Sequence, residues 1–337
     1  MPIKKLPKIS LIILNLNGKK FLNNCLKSVF ATNYPDFEVI LVDNGSTDGS
    51  PQLALRQFAS PKNLQVILNE KNLGFAGGNN QGATKAKGDW LLFLNNDTQV
   101  EKEWLSSLMD EVLKDKKVAA AGCKQRSLIK KNYLDAIGGY LDRFGWSQKI
   151  GYKEKDKGQY DKVCEIFYGQ GSSLLVKADI FQKLGGFDKD YIIYYEEVDF
   201  CWRIHLAGFK IIFVPRAIIY HFGGGWQQKQ PVSSFFYLMR RNHLTTLFKN
   251  YSTEKLVYIL SAALFFYLAS IIVFLCQGKI DRAWAYLRAI GYNIKNLPQN
   301  LSKRKIIQQK IRKIEDKGLS KLFLPGVLFF KQFLGKD

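Results

Sequence analysis

Four short apolar runs, each cut off by a polar or glycine-rich segment, constrain this chain more than any other feature. Ser10 to Leu14 ends in N-L-N-G and Phe37 to Val42 in D-N-G-S-T-D-G-S. Leu64 to Leu68 stops before N-L-G-F-A-G-G-N-N, and Trp90 to Leu94 ends in N-N-D-T. Helix-like stretches lie between and after them, near Lys20 to Ala31, Pro51 to Phe58, Gly78 to Ala86 and Glu103 to Lys114. Continuous apolar strands alternating with helices predict an α/β fold with a mostly parallel sheet covered on both faces. Ligands bind beyond the carboxyl ends of such strands, so the four endings should form one surface.

Further along, the pattern loosens between Lys124 and Glu165 into Gly- and Lys-rich sequence, read as loops near that surface. Apolar character returns from Phe167 to Val176. Glu196 to Leu206 has helical spacing with Gly208 placed to stop it, and Ile211 to Tyr220 reads as a late strand ending on His221, Phe222 and three glycines. Five cysteines without a C-x-x-C pair argue against a zinc site or disulfide framework and fit a reducing compartment. The basic start, MPIKKLPKIS, reads as the lead into a first strand and not as a signal peptide.

The 50 Lys and Arg against 29 Asp and Glu give a net charge of +21, which calls for an anionic partner. From Tyr251 onward there are 15 basic and 5 acidic residues, so the tail is the most densely basic part. It also holds Leu256 to Cys276, which carries no charge and as a helix would be about 30 Å long, the thickness of a bilayer core. A single crossing would put the basic end outside, against the positive-inside rule. One-sided attachment at the cytoplasmic face is expected instead, by an in-plane or re-entrant helix or a hairpin using Ala283 to Leu297, with the basic residues against anionic lipid. The division expected is a catalytic domain over 1–250 that folds without the tail, and a membrane-associated helical region over 251–337.

The strand endings carry the chemistry. Asn95-Asn96-Asp97 reads first as a turn, and second as a site where one carboxylate meets a divalent cation carrying a diphosphate. Asp43 could accept the imide N–H of a uracil or thymine ring or belong to a loop that caps a helix. The glycines of N-L-G-F-A-G-G-N-N-Q-G permit close backbone approach to a ligand or close packing; they lack G-x-G-x-x-G spacing and a Walker lysine.

The segments ILNLNG, VDNGSTDGS, NLGFAGGNNQG, LFLNND, GGFD with YYEEVDFCWR, YHFGGG and RRNHL, in that order, resemble family 2 inverting glycosyltransferases with the GT-A (Rossmann-like) fold, in particular a rhamnosyltransferase-like branch of surface polysaccharide assembly. The resemblance covers Ile9 to about Lys249. It implies Mg²⁺ or Mn²⁺ at Asp97 and His221, with Asn95 where relatives carry the first carboxylate. It implies donor contacts from Asn15, Asn17, Asp43, Asn72, Gly74, Gly77, Gly78, Asn79 and Asn95. Leu16 stands where many relatives have an aromatic residue. The general base falls on Glu197, one methylene longer than the usual Asp, with Glu196 beside it and Asp199 in reserve; first-turn acids that favour the helix dipole would look the same. The implied partners are a nucleotide-sugar donor, dTDP-rhamnose or a UDP-sugar, a saccharide or lipid-linked saccharide acceptor, and an anionic membrane surface, without nucleic acid. Two rivals stand beside it. A sugar nucleotidyltransferase lacks its early G-x-G-x-R-type loop here, and a nucleic-acid-binding protein lacks zinc-finger or RNP signatures.

Overall fold

The computed structural model describes residues 6–58, 63–223 and 231–324; Gly224, Gly225, the first five residues and the last part of the basic tail lie outside them. Strands β1 (Ile9–Asn15), β2 (Phe37–Asp43), β3 (Leu64–Leu68) and β4 (Trp90–Asn95) alternate with α1 (Lys19–Phe30), α2 (Ser50–Gln57) and α3 (Gly74–Lys85). Next come β5 (Thr98–Val100), α4 (Trp104–Val112), β6 (Val118–Ser127), β7 (Leu134–Ala136), β8 (Gly139–Asp142), β9 (Ser147–Lys149) and β10 (Cys164–Glu165). The unit continues through β11 (Ser173–Lys177), α5 (Ala178–Lys183), α6 (Glu196–Leu206) and β12 (Lys210–His221).

The main sheet runs β10-β12-β6-β11-β4-β1-β2-β3, with β5 paired to β12 and β7 to β6. Parallel pairing joins β3, β2, β1 and β4, and again β6 and β12, while β11 and β10 run against their neighbours. The expected mostly parallel sheet is therefore present. Register brings the endings together: Asn15 sits opposite Asp43, and Leu14 opposite Asn95. Alternation along β1 sends Leu11 and Ile13 toward α1 and α4, and Ile12 toward α3 and the opposite core.

The stretch from Lys124 to Glu165 is not a run of loops. It supplies the end of β6 and four short strands, β7 to β10, whose polar alternation is too brief to register as periodicity.

Beyond β12, helices α7 (Val232–Asn250), α8 (Thr253–Cys276), α9 (Ile280–Lys295) and α10 (Leu297–Ile306) wrap the sheet, and β13 (Phe323–Leu324) pairs with β8. Leu256, Ile259, Ala263 and Tyr267 of α8 share one hydrophobic core with Trp146, Trp202 and Leu247. Arg304 of α10 donates to the carbonyls of Phe248 and Tyr251, both at 2.6 Å. A boundary at residue 250 thus cuts through a continuous core, against the expectation that the first 250 residues fold without the tail.

Candidate active site

The carboxyl edge of the sheet collects the sequence-picked residues. Asn15, fully buried at the end of β1, donates from Nδ2 to Asp43 Oδ1 at 2.7 Å and Ser50 Oγ at 2.8 Å, and its Oδ1 accepts from Asn96 Nδ2 at 2.6 Å. A Cβ on Gly18 would lie 2.0 Å from Asn96 Nδ2, so glycine is required for this meeting. Asp43 also accepts from the Ser46 amide and hydroxyl at 2.9 and 2.6 Å. Both its oxygens are engaged within the turn and the side chain is buried, which leaves direct reading of a base by Asp43 little room. Asn17, with φ +50, accepts from the Thr47 amide through Oδ1 at 2.8 Å.

The glycine-rich segment proves to be a packing device. Gly77 and Gly78 lie within α3, and a Cβ on Gly78 would meet Leu14 Cδ1 at 2.4 Å. Gly74, with φ +74, lets the Ile192 carbonyl approach the start of α3. Asn72 Oδ1 accepts from the Gly74 amide at 2.8 Å and from Asn44 Nδ2 at 3.2 Å, closing the turn that leads into α3. Asn79 donates to the Phe75 carbonyl, and its Oδ1 is buried without a partner. Backbone approach to a ligand by Gly77 or Gly78 finds no support in this arrangement.

Asp97 and His221 meet because β5 pairs with the end of β12, with Thr98 opposite His221. His221 Nε2 and Asp97 Oδ1 form a buried ion pair at 3.3 Å, and neither atom makes a further hydrogen bond. On the other ring edge, His221 Nδ1 lies 2.8 Å from Asp135 Oδ2. Burial alone would lower the imidazole, but the Asp135 hydrogen bond and both nearby carboxylates outweigh it and raise His221 to about 9. Burial works against ionisation of Asp135 and Asp97 as well, yet His221 holds both below the ordinary carboxylate range, Asp135 at about 2 with Lys149 helping. Asp135 was missed from the sequence, since an acid in Y-L-D-A-I-G-G carries no local signal. Among the described residues no three His, Cys, Asp or Glu side chains surround one point. Two buried atoms that face each other and have no other partner, with a carboxylate orienting the imidazole from behind, nonetheless fit a divalent cation whose other ligands would come from a bound diphosphate and water. Asn95, at the end of β4, offers an amide nearby and no charge.

Glu196 and Glu197 open α6. Each has one carboxylate oxygen, Oε2, buried without a partner. Burial raises both carboxyls, and the charge of Glu197 raises Glu196 further. Gly171, in a loop whose Ser172 carbonyl binds the Asn95 amide at 3.1 Å, passes close to the Cβ of Glu197, so the pair adjoins the sheet edge. Asp199 points elsewhere: it is fully buried and paired with Arg203 at 2.9 Å and Lys249 at 3.0 Å.

A model of glycosyl transferase family 2 matches residues 10–185. The chain belongs to that family. Among family relatives it is 27% identical over 228 residues to an N-acetylglucosaminyl-diphospho-decaprenol L-rhamnosyltransferase of Mycobacterium tuberculosis, covering 60% of this chain and 72% of the relative. It is 25% identical to the O-antigen biosynthesis protein RfbC of Myxococcus xanthus and 24% identical to a poly-beta-1,6-N-acetyl-D-glucosamine synthase of Staphylococcus epidermidis. Those matches cover 65% and 66% of this chain, but only 18% and 52% of the relatives. GalNAc-T7 crystallised with UDP, GalNAc and Mn²⁺ shares the fold with a TM-score of 0.61 at 19% identity, over 75% of this chain and 49% of that one. The Pyrobaculum calidifontis mannosyltransferase PcManGT with GDP-Man and Mn²⁺ shares it at 0.54 and 16%, over 90% and 86%. The expected GT-A-like α/β fold and family are thereby established, and the sugar-transferase reading is favoured over both rivals.

Proposed function

We propose that this family 2 chain transfers a sugar, with inversion, from a nucleotide-diphosphate donor to a saccharide or lipid-linked saccharide acceptor in cell-surface polysaccharide assembly. The observation that carries the reading is the buried Asp97–His221 pair at the carboxyl edge of the sheet, whose facing atoms have no partner beyond each other. These two residues would hold Mg²⁺ or Mn²⁺, which supplies charge neutralisation to a departing diphosphate. Two solved fold relatives carry Mn²⁺ with a nucleotide or sugar nucleotide.

Glu197 is the base. Its carboxylate takes the proton of the acceptor hydroxyl while that oxygen attacks the anomeric carbon from the face opposite the leaving group. Burial raises the carboxyls of both Glu196 and Glu197, which suits a group that must take up a proton. Asp199, held by two cations, anchors α6. Asn15, Asn17, Asp43 and Asn72 shape the donor end through the turns they fix, and Asn79 Oδ1 and Asn95 remain for direct contact. The donor favoured is dTDP-rhamnose or a UDP-sugar, with the rhamnosyltransferase relative as the guide.

The chain works at the cytoplasmic face of a membrane, with the site in residues 1–250 and the lipid contact in 251–337. α8 has the length and composition to cross a bilayer, but Leu256, Ile259, Ala263, Tyr267 and Ile271 are buried against the sheet domain and α9 while Val257, Phe265, Leu268, Ile272 and Leu275 are exposed on the other side. A helix laid lengthwise on its own domain contacts one leaflet and does not span. UDP-, dTDP- and GDP-sugars with Mg²⁺ or Mn²⁺, tested for protection against thermal unfolding and for transfer to an N-acetylglucosaminyl-diphospho-polyprenol, check the proposal. Absence of metal-dependent protection by every donor overturns it.

A further inference from the structure

The segment RRNHL has no part in the chemistry above, yet two of its residues grip the turn that presents the base. Between the short helical turn Lys189–Tyr191 and α6, the backbone takes positive φ at three non-glycine residues, Ile192 (+65), Tyr194 (+70) and Tyr195 (+68). At Ile192, ψ is −62 and the Ile193 amide bonds the Tyr191 carbonyl at 2.7 Å, a γ-turn of the strained hand carried by a β-branched residue. Such a conformation persists only where the surroundings over-determine it.

Here they do, and most of the restraint comes from α7. Asn242 Nδ2 lies 3.0, 2.9 and 2.7 Å from the carbonyls of Tyr191, Ile193 and Tyr194. Arg241 Nη2 donates to the carbonyls of Asp190 and Tyr191 at 2.8 and 2.7 Å, while its Nε donates to Asn242 Oδ1 at 2.8 Å and so fixes the amide's orientation. The guanidinium is itself braced over the Tyr292 ring at 4.7 Å. The remaining carbonyl, that of Ile192, accepts from the Phe75 amide at 2.6 Å at the start of α3. Every carbonyl from residue 190 to 194 is thereby held, and Glu196 and Glu197 follow at once.

We propose that Asn242, fixed by Arg241, is a positioning residue for transfer: it holds the 190–195 turn in its strained form so that Glu197 reaches the acceptor hydroxyl. The proposal rests on Glu197 being the base. Both residues are buried, with their side chains spent on the turn and on each other.

The test uses the full chain with dTDP-rhamnose, or the sugar nucleotide of the panel that is turned over, and an N-acetylglucosaminyl-diphospho-polyprenol acceptor. Asn242→Ala is expected to lower kcat by about 10²-fold, the scale of an ångström-sized misplacement, with donor KM and the Kd of the free nucleoside diphosphate within a few-fold of the parent. In a Glu197→Asp background the same change should cost much less, because coupled residues are not additive. If Asn242→Ala does not unfold cooperatively, Asn242→Ser, which keeps a hydroxyl donor, is read in its place. An unchanged kcat, a parallel fall of kcat and nucleotide affinity, or an equal cost in both backgrounds each overturns the positioning role. Full transfer by Glu197→Gln instead overturns the base assignment, so the two failures are distinguishable.

Discussion

At the scale of single residues, the proposed mechanism divides the work between two carboxylates and a histidine. Glu197→Gln keeps size and removes the proton acceptor, so transfer is expected to fall by about 10²- to 10⁴-fold while the Kd of the donor stays within a few-fold. Glu197→Asp, which shortens the reach by one methylene, should give reduced but measurable transfer. Asp97→Ala, at a strand end, is expected to abolish metal-dependent nucleotide binding in calorimetry while the protein still unfolds cooperatively, at a somewhat lower midpoint because the ion pair with His221 is lost. Asp135→Asn tests orientation from behind the imidazole. Loss of such an outer partner typically costs about 10- to 100-fold in metal affinity, so a titration with Mn²⁺ at constant nucleotide should show that shift; unchanged affinity would leave Asp135 a mere lid.

Helices and strands set the next level, where the glycines and the ion pairs belong. A Cβ on Gly82 would lie 2.5 Å from Ile12 Cγ2, inside the interface of α3 with β1. Gly82→Ala should therefore destabilise by about 1–3 kcal/mol through overpacking, read as a lower urea midpoint at unchanged slope. On the far side of the turn that leads into α6, Asp188 meets Lys249 and Lys303, both at 2.6 Å, and Lys303 also meets Asp190. Burial works against ionisation of Asp188, but the two ammonium groups hold its carboxyl well below the usual range. A depressed folded-state value means that the stabilisation is present above the unfolded Asp value of about 4 and is lost as pH falls below it. Lys303→Gln should consequently lower stability at pH 7 and flatten the loss between pH 5 and 3. Urea unfolding across that range checks both effects.

For the whole molecule, the hydrophobic cluster that α8 shares with Trp146, Trp202 and Leu247 makes the tail a structural part of the fold. Truncation after Asn250 removes the α8 residues packed on Trp146 and His243, the Arg304 bonds to two carbonyls, and the strand beside β8. The shortened protein is expected to lose cooperative unfolding, and a sharp thermal transition in it would restore the boundary at residue 250. The outward face makes a separate prediction. Phe265 and Trp284 are 67% and 59% exposed, on neighbouring antiparallel helices of a densely basic region. Burying an aromatic side chain is worth about 1.5–3 kcal/mol, so Phe265→Asp with Trp284→Asp should weaken sedimentation with anionic vesicles by more than about tenfold while nucleotide protection persists.

Periodicity is a local property, and it was enough to place β1 to β4, α6 and β12 within a residue or two and to put the polar strand endings on one edge. The order of short motifs added the family, the Asp97–His221 pair and the acids of α6. What faces what across long separations was beyond it. Asp135 meets His221 from 86 residues away, and Asn242 meets Tyr191 from 51, because sheet order and helix packing bring them together. The same holds for the glycines of α3, whose missing side chains make sense only once β1 lies beneath them. It holds for the apolar stretch at 256–276 too: composition sets its hydrophobicity, but only the fold decides that one side is spent on the protein's own core and the other left exposed.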